Sequence, residues 1–89
     1  MATFIVSYDL RAPGRDYTSL FTAIKSYNRW AHPLESVWAI VTDKSAVDVR
    51  DHLWSYMDAN DGLLVVGSSH VGAWMGLGQR LSDWLKENL

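Results

Sequence analysis

Residues 36–69, SVWAIVTDKSAVDVRDHLWSYMDANDGLLVVGSS, hold a strand, a helix and a second strand in that order. Residues 36–42 are rich in β-branched and aromatic side chains, the composition of a strand on a packed sheet. Ser45 is placed to cap a helix. Asp48, three residues on, completes an approximate capping box with a carboxylate shorter than the usual glutamate. Val49, Leu53 and either Tyr56 or Met57 recur at helical spacing, with Ala46 at the head of the stripe. The cluster Asp58-Ala59-Asn60-Asp61-Gly62 is a turn signal. Residues 63–69 then begin with an unbroken Leu-Leu-Val-Val, the pattern of a strand buried on both faces.

The flanking sequence repeats this alternation. Residues 3–9 predict a first strand, with Phe4, Val6 and Tyr8 on one face and Thr3, Ile5, Ser7 and Asp9 on the other. Pro13-Gly14 marks the turn that ends it. Asp16 is the expected N-cap of a helix carrying Leu20, Phe21, Ile24 and Tyr27 on its apolar side and ending near Asn28. Residues 29–34 predict a short strand, broken from the next near Leu34-Glu35, with Pro33 confined to an edge or bulge. Beyond residue 69, Gly72, Gly76 and Gly78 predict a flexible turn that lets Trp74 pack. Ser82 is the expected cap of a short amphipathic helix, 83–88, with Leu81, Trp84, Leu85 and Leu89 on its apolar side. The order β-α-ββ-α-β, plus a C-terminal helix, is α/β in the broad sense and α+β in the strict one. Its expected architecture is a ferredoxin-like sandwich, a single domain over residues 1–89 with two helices on one face of a four-stranded antiparallel sheet. The second face then needs a cover: the tail, another subunit or a ligand.

Composition narrows the function. Eighty-nine residues make one small core, and chains of this size gain from oligomerisation. The hydrophobic fraction of 48%, with five tryptophans, argues against disorder and for either a dense core or an interface. A net charge of −2 lacks the basic balance of a general nucleic-acid binder, although a local patch needs only a few arginines. Without cysteine there is no disulfide, thiolate metal site or thiol nucleophile. No apolar run approaches a membrane span and no export signal opens the chain, so the expected setting is cytoplasmic. His32, His52 and His70 fall on different elements without zinc spacing. Ser7, Ser36, Ser68 and Ser69 have no evident base and acid beside them. The glycine-rich stretch 72–78 lacks a phosphate-loop lysine.

One residue stands out for chemistry. Asp9, closing the first strand, can offer a carboxylate to Mg2+ or Mn2+, and such a metal polarises phosphate or activates water. The plainer alternative is that Asp9 caps the turn that follows. Arg11, Arg15 and Arg29 can contact phosphates, or can be solvated charges paired with Asp16 and Glu35. Tyr8 can stack on a base, or fill the core.

Several stretches carry a resemblance. Tyr8-Asp9-Leu10 closes strand one, Arg15 stands near the start of the first helix, and Tyr27-Asn28-Arg29 follows it. Glu35-Ser36-Val37-Trp38 opens the middle strand, and Asp61 precedes Leu-Leu-Val-Val. These features resemble the CRISPR-associated adaptation protein that partners the spacer integrase, and the related virulence-associated protein D group. Residues 16–27, 34–46 and 82–89 are similar to small bacterial and phage proteins labelled SinR-like, although no helix-turn-helix signature is present. The resemblance implies a ferredoxin-like homodimer, with Asp9 holding a divalent metal beside its symmetry mate as a nucleic-acid-directed endonuclease. It departs from the family at its end. A glycine-rich turn and a Trp-bearing helix replace the strand that the family exchanges between subunits, and this is the segment that sets the family's dimer geometry. Two functions follow: a metal-dependent nuclease or nucleic-acid-associated homodimer of an antiviral defence system, or a non-catalytic dimeric module that binds a protein partner.

Overall fold

A computed structural model of the chain describes residues 1–89. Four strands and three helices follow in order: β1 (Ala2–Asp9), α1 (Thr18–Ile24), β2 (Arg29–Leu34), β3 (Val37–Thr42), α2 (Ala46–Trp54), β4 (Gly62–Gly67) and α3 (Gly78–Asn88). The strands form one sheet in the order β2-β3-β1-β4, and each neighbouring pair is antiparallel. The class is therefore α+β.

The core follows from strand alternation. Phe4, Val6 and Tyr8 of β1 share a face with Trp38 and Ile40 of β3. Against that face pack Leu20, Ala23 and Ile24 of α1, and Val49 and Leu53 of α2 with Met57 beyond it. Leu20, Ile24 and Leu53 are fully buried; each such side chain contributes about 1.5–3 kcal/mol through apolar area removed from water. Met57 completes the α2 stripe, while Tyr56 stays exposed. Ser45 caps α2 as its spacing predicts, its hydroxyl accepting the Asp48 N–H at 3.1 Å.

Four local readings need correction. Helix α1 is shorter than its apolar spacing suggests and ends at Ile24, leaving Tyr27 and Asn28 outside it. Tyr17, not Asp16, is its N-cap residue; the Asp16 carboxylate instead accepts the Thr18 N–H at 2.9 Å, a turn one residue early. β4 is not buried on both faces. As an edge strand it packs Leu63 and Val65 towards the core, but Leu64 is 58% and Val66 42% exposed. The C-terminal helix begins four residues before Ser82. The Ser82 hydroxyl, inside the helix, accepts the Trp74 indole N–H at 3.0 Å. Gly76 and Gly78 adopt φ of 78° and 77°, which turns the chain into α3 at little steric cost.

α3 covers part of the second sheet face. Leu85 of α3 is buried, as are Thr3, Ala31, Ala39 and Val41 on this sheet face, and α3 packs against β2. The Thr3 hydroxyl donates to the Asn88 carbonyl, and Arg29 donates to the Asn88 side-chain oxygen at 3.0 Å. The cover stops there. Towards the Asp9 end, the same face presents Ser7, Val37, Leu34 and Leu64, and Leu34 and Leu64 are both exposed.

The two sheet edges differ. β2 pairs irregularly with β3, with a register shift between Ala31 and Leu34, and Pro33 falls in that irregular stretch. β4 has neither proline nor charge along Gly62–Gly67.

Candidate functional site

The loop after β1 and the turn before β4 meet at the end of the sheet that carries Asp9. Asp9 is the last residue of β1, opposite Gly62. Its carboxylate lies 3.1 Å from the Arg11 guanidinium, and the two side chains are 74% and 58% exposed. Such a pair contributes under ~1 kcal/mol. The turn after β1 is fastened by a different carboxylate. Asp61, buried, accepts the Arg11 backbone N–H at 2.6 Å, the Asp58 N–H at 2.8 Å and the Tyr17 hydroxyl at 2.8 and 2.9 Å. Burial disfavours its charge, but these donors and the nearby Arg15 outweigh burial and hold its pKa below the ordinary carboxylate value. The Tyr17 phenol is pushed the other way, by burial first and then by its bond to Asp61.

The sequence-predicted residues are only partly gathered. Asp9 and Arg11 share one depression of about 450 Å3 with Tyr8, Leu10, Glu35 and Ser36. Tyr8, however, has its ring in the core, where it is not presented for stacking. Its hydroxyl accepts the Trp38 indole N–H at 2.9 Å and faces the Glu35 carbonyl at 3.4 Å. Burial raises its pKa, the Trp38 bond opposes that, and the Glu35 charge adds to it. Arg15 leans on the Tyr17 ring at 5.6 Å and donates to the Tyr56 carbonyl at 3.3 Å. Arg29 pairs with Val41, which pairs with Thr3, so it lies at the opposite end of the sheet from Asp9.

Two carboxylates, Asp9 and Glu35, line this depression, and that of Asp9 already faces the Arg11 guanidinium. Mg2+ and Mn2+ are held through oxygen, often by one or two carboxylates with water completing the shell; no group of three His, Asp or Glu side chains converges.

Three further features were not read from sequence as members of a site. Asp61 and Tyr17 are the loop anchor; Asp61 looked like one member of a turn cluster, and only the fold reveals its burial. Glu35 lines the Asp9 depression from the β2–β3 turn. Another cavity, of about 480 Å3, lies elsewhere, lined by Tyr27, Asn28, Thr42, Lys44, Asp48 and His52 among others. There Tyr27 and His52 Nδ1 are hydrogen-bonded at 2.7 Å. Burial, and then the Asp48 charge, raise the Tyr27 pKa, so its phenol stays protonated at neutral pH. The i, i+4 spacing of Asp48 and His52 was the available signal.

No family model matches the chain, and no solved structure matches it. No helix is long and apolar enough to cross a membrane.

Proposed function

We propose that this chain is a homodimeric protein-interaction module on a ferredoxin-like fold, acting by binding and not by catalysis. The strand order and the two helices packed on one face support the fold assignment. One observation carries the functional reading: the half-covered sheet face presents Leu34, Val37, Ile5, Leu64 and Val66 across its four strands, with Ser7 between Val37 and Leu64, and Leu34, Leu64 and Val66 are exposed. Exposed apolar surface grouped in this way marks interaction sites. Only 18 of 89 residues are buried, so the monomer's own core is small and a partner adds substantially to it. The apolar positions carry no charge, and at their rim Asp9 is paired with Arg11 while Glu35 lines the same depression, so charges of both signs stand there. Sedimentation equilibrium between 1 and 100 μM tests this, those concentrations spanning roughly the affinity range of a modest interface. A dimer is expected, and a monomer throughout rejects the reading.

A second reading is nucleic-acid association with metal-dependent cleavage, of the kind the CRISPR-adaptation resemblance implies. It draws on the exposure of Asp9 and Arg11 at a shared depression. Its test is cleavage of short RNA and DNA with Mg2+ or Mn2+. Activity that is lost in Asp9→Ala and abolished by EDTA supports it, and no cleavage by folded wild type rejects it.

A further inference from the structure

We infer that the second copy docks through β4, edge to edge, with a two-fold axis at Val65 that joins two four-stranded sheets into one. This rests on the dimer reading above; of the apolar face it covers the β4 side, Leu64 and Val66, and leaves Leu34 and Val37 on the far strands open.

The backbone argument comes first. The Ser68 N–H donates to the Thr3 carbonyl at 2.8 Å. Antiparallel strands turn alternate residues towards opposite neighbours. In the register of Ile5 with Val66 and Ser7 with Leu64, even-numbered residues of β4 therefore bond to β1. Leu63, Val65 and Gly67 turn their N–H and C=O groups outward, with no strand beyond them. Natural edges are usually guarded by proline, charge or a bulge. The β2 edge has Pro33 and an irregular register; β4 has no such guard.

The outward row is self-complementary. Centred on Val65, an antiparallel copy places Val65 opposite Val65 and Leu63 opposite Gly67, each a pair that exchanges both backbone bonds. Glycine opposite leucine leaves room for the larger side chain. Leu64 then faces Val66 of the partner in the closer, non-hydrogen-bonded pair, which covers the two most exposed side chains of the strand. No charged residue lies on the strand, so no like charges meet along it; Arg50 of α2, beside the seam, is paired with Asp51 at 2.9 Å.

A separate observation lies on the helix side. An apolar depression of about 280 Å3 runs between α2 and β4, lined by Ala46, Val47, Arg50, Leu63, Leu64 and Val65. Val47 is exposed there with no cover from its own chain. The partner's α2 and β4 border, brought up by the same two-fold axis, closes this depression.

The geometry separates the two Asp9 residues. Strand spacing of ~4.8 Å and a rise of ~3.3 Å per residue put them roughly 25 Å apart, too far to share one ion. The absence of cysteine makes this readable by single-site cross-linking. The Val65→Cys variant sits on the axis, where a hydrogen-bonded pair spaces its Cα atoms at ~5.5 Å, within disulfide range. It is expected to give a covalent dimer on mild oxidation, whereas the Asp9→Cys variant remains uncrosslinked. Wild-type amide exchange supplies a readout without mutation: the Leu63, Val65 and Gly67 amides slow at concentrations where the dimer forms and exchange freely on dilution. A dimer that cross-links through Asp9→Cys but not Val65→Cys, or whose three amides stay fast, overturns the β4 geometry and leaves the dimer reading intact. A monomer at every concentration overturns both. Slow exchange of these amides in a monomer bound to another protein's extended segment assigns the edge to that partner and overturns self-pairing.

Discussion

At the scale of single residues, the two carboxylates at the Asp9 end of the sheet behave oppositely. Asp61 is buried and takes bonds from Arg11, Asp58 and Tyr17, so it ties the β1–α1 loop to the turn before β4. Asp61→Asn removes part of an acceptor set that serves several donors and is expected to destabilise the fold by about 1–3 kcal/mol, read as a lower urea midpoint at pH 7. Its folded pKa lies below the ordinary 3.8. The charge therefore stabilises the fold above the unfolded pKa, and that contribution fades as pH falls from about 4 through the lower, folded value. Urea melts at pH 6 and pH 3 test this: wild type loses more stability between the two than Asp61→Asn does. An equal loss in both proteins would remove Asp61 from the account. Asp9→Ala breaks only an exposed pair with Arg11 and should change stability by less than ~1 kcal/mol. That makes it a clean variant for the cleavage assay. The sequence singles out Asp9 and leaves Asp61 in a turn cluster, yet each sits beside a turn and nothing local shows which is buried. Burial, which decides between them, is a property of the β1–β4 pairing.

At the scale of elements, what was legible was periodicity. The alternation in β1, the Ser45 cap and the Val49–Leu53 stripe of α2 are local signals, and they correspond to local structure. Ser45→Ala, which removes the acceptor for the Asp48 N–H, is expected to lower stability by about 1 kcal/mol in thermal denaturation. β4 was misread for a physical reason. Leu-Leu-Val-Val is equally suited to a central strand and to an edge that another chain covers, and composition does not contain the strand order. The length of α3 was misread because Ser82 matches a cap in type, while its hydroxyl is used by Trp74. α3 is fixed to the sheet through Leu85, its one buried side chain. Leu85→Ala is expected to destabilise the protein by about 2–4 kcal/mol, and to speed exchange of α3 amides more than those of β1 or β3. Uniform acceleration across the sheet would show that α3 and the sheet unfold as one unit.

At the scale of the whole molecule, the chain is a flattened body of 34 × 28 × 19 Å. It has one complete core face and one half-covered face. The sequence raised the question of the second cover, and the answer is divided: α3 closes the β2 side, and the Asp9 end lies open. The expected pairing of two Asp9 residues about a metal came from resemblance and needs an arrangement that brings the two β1 ends together. The free backbone groups of β4 favour a side-by-side one. Cross-linking separates the two. The candidate site was legible in its contiguous part, Tyr8, Asp9 and Arg11; Glu35 joins them only through the β2–β3 turn, and composition does not show that Tyr8 turns its ring into the core.

The irregular stretch at Pro33 has a consequence in the terms of polymer chemistry. A sheet with two reactive borders is a bifunctional monomer and grows without limit. With one border capped and the other open, the sheet pairing we propose is monofunctional: a single coupling event consumes its reactivity, and growth terminates at two units. Proline at position 33 then works as a chain stopper, the reason an apolar, uncharged strand such as β4 can be left uncovered without committing the protein to fibres.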